Sequence, residues 1–247
     1  MGWHGSWAAF LLAAFVAEVI GTMAGFGSAT ILTPIAALFV DVKTAIALVA
    51  CFHLFGNASR LIFFGRRVDW KIWAQFGITG VLCSFLGAHV TALLASSMVK
   101  GLFGVFLLCY VAFSWRTAGQ IQFSPNRTTL VIGGMTSGFM AGLLGTGGAI
   151  RSVCLLAFGM PRESYIGTSA AIAFMVDATR LPVYLSGRLL PASLILILAG
   201  LMATAFAGSF LGQWLLHRLS ARGFRSIVTV VLTILGVKLV MESLPRL

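Results

Sequence analysis

Two stretches decide how this chain folds: Gly21-Thr22-Met23-Ala24-Gly25-Phe26-Gly27-Ser28 and Ala141-Gly142-Leu143-Leu144-Gly145-Thr146-Gly147-Gly148. Each breaks a long apolar run with closely spaced glycines, which weaken a helix interior by about 1 kcal/mol apiece relative to alanine. The runs before the breaks cover 6–24 and 129–144, and those after them cover 28–40 and 148–160. A segment of about 13 residues makes a helix of about 20 Å, too short to cross a hydrocarbon core about 30 Å thick without tilt. The sequence therefore predicts two broken helical pairs.

The two breaks belong to one repeat. Shifted by 120 residues, the chain matches itself without gaps. Gly25 falls on Gly145, Gly27 on Gly147, Ala29 on Ala149, Ile46 on Ile166 and Ala50 on Ala170. Asn57-Ala58-Ser59-Arg60 then falls on Asp177-Ala178-Thr179-Arg180, with Leu61 on Leu181. One register held over forty residues divides the chain into halves of 1–120 and 121–247, joined by a polar link containing Ser124-Pro125-Asn126.

Between the breaks lie further apolar segments at about 44–64, 70–94, 98–115, 164–186, 191–215 and 224–243. With 59% hydrophobic and 9% charged residues and a mean hydropathy of +1.01, the chain lacks the charge a water-soluble surface needs. Its composition predicts a polytopic membrane protein and excludes a globular enzyme with one buried core. No Lys or Arg precedes Trp7, so the first segment lacks the basic start of a signal peptide and is read as part of the mature protein.

The net charge of +11 invites a nucleic-acid reading. The bases, however, lie singly or in small groups between apolar spans, as the positive-inside bias places them. No nucleic-acid partner is expected. The four cysteines, Cys51, Cys83, Cys109 and Cys154, sit in apolar spans without CxxC spacing and read as small buried hydrophobes.

Charge parity sets the topology. The richest basic loops, Arg66-Arg67…Lys71 and Arg218…Arg222…Arg225, should share the cytoplasmic side. They do so when each broken pair is a hairpin, re-entrant or crossing twice, and not when it is a single crossing. Nine basic loop residues then lie inside and four (Lys43, Lys100, Arg188 and Arg246) outside, with both termini outside. Each half has an odd number of crossings. The predicted fold is all-α and integral to the membrane, with two inverted-topology repeats, each a Gly-broken helical hairpin plus three transmembrane helices.

Non-helical backbone at membrane depth is tolerated where protein or a watery cavity satisfies it. The helix after each break points free N–H groups and its positive dipole end back at the break, an arrangement suited to an anion. Gly25, Gly27, Ser28, Thr30, Gly145, Thr146, Gly147 and Gly148 are the substrate-site candidates there, against the alternative that small residues only allow close packing. Arg151, one turn past the second break, either grips an oxyanion or pairs with Glu18 or Asp177. Arg60 and Arg180 lie four to six residues from their helix ends, where they either snorkel to the interface or, with Asn57 and Asp177, brace the hairpins. His53 is an interhelical hydrogen bonder or a proton carrier, and Glu18 a coupling site or a counter-ion.

The segment Gly25-x-Gly27-Ser28-Ala29-x4-Pro34 resembles the GxGGGxxxxP signature of the TauE/SafE sulfite exporter family, with Gly145-x-Gly147-Gly148-Ala149-x4-Cys154 as its counterpart. Gly167-Thr168-Ser169-Ala170 resembles that family's GTS element. The resemblance implies a permease of the bacterial inner membrane for sulfite, sulfonates or related organic anions. The sequence departs from the pattern at Ser28-Ala29 and Ala149, which replace glycines, at Cys154 in place of a proline, and at Arg151, where an apolar residue is expected.

Together these readings predict a secondary transporter that moves a small anion by alternating access, with proton or sodium coupling. An anion channel of the same fold is the alternative; a scaffold or membrane enzyme fits less well, since no Walker-type run or HExxH is present. The expected partners are the anion and the lipid bilayer. No cofactor or metal is expected, and a homodimer is left open.

Overall fold

The computed structural model describes residues 3–24, 27–117, 125–215 and 221–244. Gly25, Arg218 and Arg246 lie outside the described residues. Among the described residues the secondary structure is entirely helical. In chain order the helices are α1 Trp3–Ala24, α2 Ala29–Ala36, α3 Val42–Phe64, α4 Trp70–Ile72, α5 Ile78–Leu93, α6 Ser96–Thr117, α7 Arg127–Leu144, α8 Gly148–Leu156, α9 Arg162–Ser186, α10 Ile195–Leu215 and α11 Ala221–Ser243. A π-helical turn, Trp73–Gly77, joins α4 to α5, so that Trp70–Leu93 forms one span.

Local chemistry explains several boundaries. Asp41 caps α3 by accepting from the Lys43 N–H, Asp69 caps α4 from Lys71 and Ile72, and Asn126 caps α7 from Thr129. At its other end α7 stops at Gly145, whose φ of 76° lies in the left-handed region. The helices after the two breaks are shorter than the apolar runs suggest: α2 has 8 residues and α8 has 9. Both run into turns, at Ala37–Phe39 and, in the second, at Ala157–Gly159, where Gly159 has a φ of 59°. At 1.5 Å per residue each helix is about 12–14 Å long, less than half a hydrocarbon core.

Among the described residues, four helical stretches are long and apolar enough to cross a membrane: Val42–Arg67, Trp70–Leu93, Ser96–Phe113 and Ala192–Leu215. Large apolar side chains such as Leu93, Leu196 and Ile62 stand exposed on them, where hydrocarbon rather than water makes a favourable neighbour. Cys109 is among the exposed residues and Cys83 is half-buried, so only Cys51 and Cys154 behave as the buried hydrophobes expected from sequence.

Helices from early and late in the sequence interleave. α3 and α9 pack on each other at the centre, α1 packs on α10, α7 on α5, and α6 on α11. The α5–α7 contact is close because Gly134, Gly138 and Gly142 meet the backbone at Phe76, Gly80 and Ser84. One end of the bundle gathers Trp7 against Phe39, the Lys43 Nζ bond to the Ala92 carbonyl, the Ser96–Asp41 bond and the Lys100–Glu242 pair. The other gathers the Arg67–Glu163 pair, the Asp69 N–H on Thr168 Oγ1 and Arg162 on the Met23 carbonyl. α1 starts at the first end. α7 starts at the second, where Leu130 packs with Phe64 and Ile72.

Candidate functional site

Each short helix is tied back to the long helix before it across ten residues. Ser28 Oγ donates to Glu18 Oε2 at 2.5 Å, and Ser137 Oγ donates to the Gly147 carbonyl at 2.8 Å. The chain can re-enter sharply in the first hairpin because Gly27 takes a φ of 92°, a conformation that L side chains rarely adopt. The tips of α2 and α8 meet, and the hydroxyls of Thr30 and Thr146 bond to each other at 2.7 Å.

Beside this contact lies a narrow cavity of about 250 Å³ of empty volume, wide enough at its core for about one water molecule. Gly27, Thr30 and His53 line it from the first half, and Gly145, Gly147, Gly148, Arg151, Asp177 and Arg180 from the second. The other lining residues, Ala29, Ala141, Ala173 and Val176, are apolar. The first turns of α2 and α8 open on it, where N–H groups lack an intrahelical partner unless a tighter turn takes them, as the Ser28 carbonyl takes the Ile31 N–H.

Arg151 is 3% exposed, and its Nε donates to Ser169 Oγ at 2.9 Å. Among the described residues no carboxylate lies within ion-pair distance of it. The pairings with Glu18 or Asp177 that the sequence allows are therefore absent, because both acids are already engaged. Glu18 Oε1 takes Arg60 Nη2 at 2.5 Å and Ser209 Oγ at 2.6 Å. Asp177 accepts from Arg180 on Oδ1, and from His53 Nδ1 and Asn57 Nδ2 on Oδ2. Arg151 is thus a buried cation without a partner acid.

His53 faces the same space. Its Nδ1 lies 2.8 Å from Asp177 Oδ2, which places the ring proton on Nδ1 and leaves Nε2 as the lone-pair nitrogen. Nε2 is buried and has no hydrogen-bond partner. A methyl added at Gly27 would stand 3.0 Å from His53 Nε2 and 3.7 Å from Arg151 Nη2, so both groups converge on that glycine.

Arg60 and Arg180 do not snorkel; they are 4% and 1% exposed. Arg60 bonds Thr22 Oγ1, Asn57 Oδ1 and Glu18, reaching from α3 back to α1. Arg180 bonds Asp177 and the Ala141 carbonyl, reaching from α9 back to α7. Interior contacts outweigh the route to the interface because each guanidinium is matched there by a carboxylate and further acceptors. Arg60 thus ties α3 to α1, and Arg180 ties α9 to α7.

Of the residues singled out from sequence, Gly27, Thr30, His53, Gly145, Gly147, Gly148, Arg151, Asp177 and Arg180 come together at the cavity. Thr146 joins them through Thr30. Ser28, Glu18, Asn57 and Arg60 form a layer behind it. Sequence reasoning passed over Ser169, which holds Arg151, and Ser209, which holds Glu18. Ser169 lies in the quoted Gly167-Thr168-Ser169-Ala170 element, whereas nothing local marks Ser209.

No solved structure matches the chain. A protein of Methanocaldococcus jannaschii named as a probable membrane transporter protein is 25% identical over 193 residues, covering 72% of each chain. That relative, the apolar helices and the family match support a multi-pass membrane transporter. The model of the sulfite exporter TauE/SafE family matches residues 10–239, nearly the whole length, and the chain belongs to that family.

Proposed function

We propose that the protein is a secondary transporter that moves a small oxyanion, sulfite or a sulfonate or related organic anion, through the cavity between the tips of α2 and α8. The observation that carries this reading is Arg151, a buried guanidinium without a carboxylate, opening on a space it shares with an unpartnered histidine nitrogen. A guanidinium beside two helix starts suits a three-oxygen anion, which can take two parallel bonds from the arginine and others from the backbone.

Alternating access follows from the architecture we assign: two inverted repeats, 1–120 and 121–247. The opposite starting ends of α1 and α7 and the reciprocal packing of each on the other half support that assignment. The end carrying Arg66, Arg67, Lys71 and Arg162 is assigned to the cytoplasm by its basic loops, which puts both termini outside a bacterial inner membrane. The cavity is narrower than such an anion, so binding must widen it, and the hairpin tips are the parts that would separate. An ion gradient supplies the driving force.

The test is counterflow in proteoliposomes. Sulfite inside should drive uptake of labelled sulfite, and Arg151→Ala should abolish it while the protein still folds. Flux without counterflow would make the protein a channel. Full counterflow in Arg151→Ala would remove the site from this cavity.

A further inference from the structure

The cavity holds one free cation and one free lone pair, and this combination constrains what binds. Arg180 is neutralised by Asp177 and Arg60 by Glu18, so the charge left facing the space is that of Arg151 alone. His53 Nε2 meets an anion's oxygen with a lone pair when the ring is neutral, and that contact is repulsive unless a proton lies between them. We infer that His53 carries the proton that accompanies the anion: a divalent oxyanion is bound together with one proton, held between Nε2 and an anion oxygen. The inference rests on the oxyanion site proposed above.

The surroundings of His53 fit this role. Asp177 on α9 holds Nδ1, and Arg151 on α8 converges with Nε2 on the same glycine, so an anion bound there meets both groups. Arg180 stands behind Asp177. Asn57, the neighbour on α3, is neutral, and its orientation is set by Arg60, which bonds Asn57 Oδ1 at 2.9 Å. Helices α2 and α10, which pack on other faces of α3, contain no titratable side chain. The anion thus supplies the charge that stabilises the added proton, and the proton gives the anion its second positive partner. Binding of the two is reciprocal. Proton and anion then cross together, and the complex with a divalent anion carries one negative charge less than the anion alone.

Sulfate is the direct probe, since it stays divalent across the histidine range of roughly pH 6 to 8. Titration calorimetry of the detergent-purified protein, repeated in two buffers of different ionisation enthalpy, reads the protons taken up on binding. The wild type should take up about one proton per sulfate near pH 8, and its affinity should fall about tenfold per pH unit on the alkaline side. His53→Gln should take up none and show a flat profile. His53→Asn is the second variant, and the wild-type measurement itself needs none.

Sulfate binding without proton uptake in the wild type overturns the inference and leaves the anion site standing. Uptake that persists in both variants also overturns it. If neither sulfate nor sulfite binds the wild type, the site reading falls and the inference falls with it.

Discussion

Asn57 and Asp177 stand 120 positions apart, at matching places in the repeat, and they touch: Asn57 Nδ2 donates to Asp177 Oδ2 at 3.2 Å. One position of the repeat thus carries an amide in the first half and a carboxylate in the second, and the central helices α3 and α9 meet there. The carboxylate is needed on the α9 side because Arg180 has no other acid, whereas Arg60 on the α3 side has Glu18. Asp177→Asn should therefore leave Arg180 buried and uncompensated, at a cost of about 3–5 kcal/mol. Asn57→Ala removes hydrogen bonds to Arg60 and Asp177 but strands neither, since each keeps its own ion-pair partner, and should cost about 1–3 kcal/mol. Thermal unfolding in detergent compares the two, and equal losses would contradict this division of labour.

The Glu18–Arg60 pair makes a second stability prediction. Glu18 is fully buried and joins α1 to α3 through Arg60, to α2 through Ser28 and to α10 through Ser209. Removing either partner strands the other charge, so Glu18→Gln and Arg60→Met should each cost several kcal/mol, on the order of 3–5. The double variant should cost clearly less than the sum, because no lone charge remains. Additive losses in a double-mutant cycle would mean that the two residues act independently.

How far the sequence carries the structure is clear from these same residues. The repeat register placed Asn57 opposite Asp177 and the apolar runs located the helices: 44–64 is realised as Val42–Phe64 and 129–144 as Arg127–Leu144. The breaks are legible because their glycine pattern recurs in register 120 residues apart, whereas Gly133, Gly134 and Gly138, equally close together, stay within α7. The rotation of each helix about its axis was not legible. Whether Glu18 faces Arg151 or Arg60 depends on that rotation, and the two arginines lie on different helices at separations no local pattern encodes. Hydropathy overstates the lengths of α2 and α8 for a related reason. Apolar turn residues such as Leu38 and Phe158 look like helix in a hydropathy reading. His53 was visible as a histidine at mid-depth, but the free Nε2 appears only once Asp177 is seen to hold Nδ1.

Gly27 tests whether the cavity is the transport site. Alanine there must adopt a φ of 92° and puts a methyl 3.0 Å from His53 Nε2, in the space Arg151 also faces. Strain alone should cost about 1–2 kcal/mol. Sulfite counterflow should fall by roughly tenfold or more, since the methyl occupies the space where the anion would sit. Gly159→Ala is the matched control: its φ of 59° imposes similar strain, but nothing lies within 4 Å of the added carbon. It should lose stability and keep its counterflow. Equal counterflow in the two variants would show that Gly27 matters only as a turn.

The contact between Thr30 and Thr146 tests whether the hairpin tips move. Their hydroxyls, 2.7 Å apart, link α2 directly to the break that leads into α8. A transporter that widens its cavity by parting these tips must break this bond in each cycle, so neither residue should tolerate a covalent tie. A Thr30→Cys/Thr146→Cys protein, with Cys51, Cys83, Cys109 and Cys154 replaced, should form the disulfide under mild oxidation, because the side chains already touch. Counterflow should stop on oxidation and return on reduction, while each single cysteine variant stays active throughout. Continued exchange in the fully cross-linked protein would place the moving parts elsewhere and make the tips a fixed floor on which the anion rests.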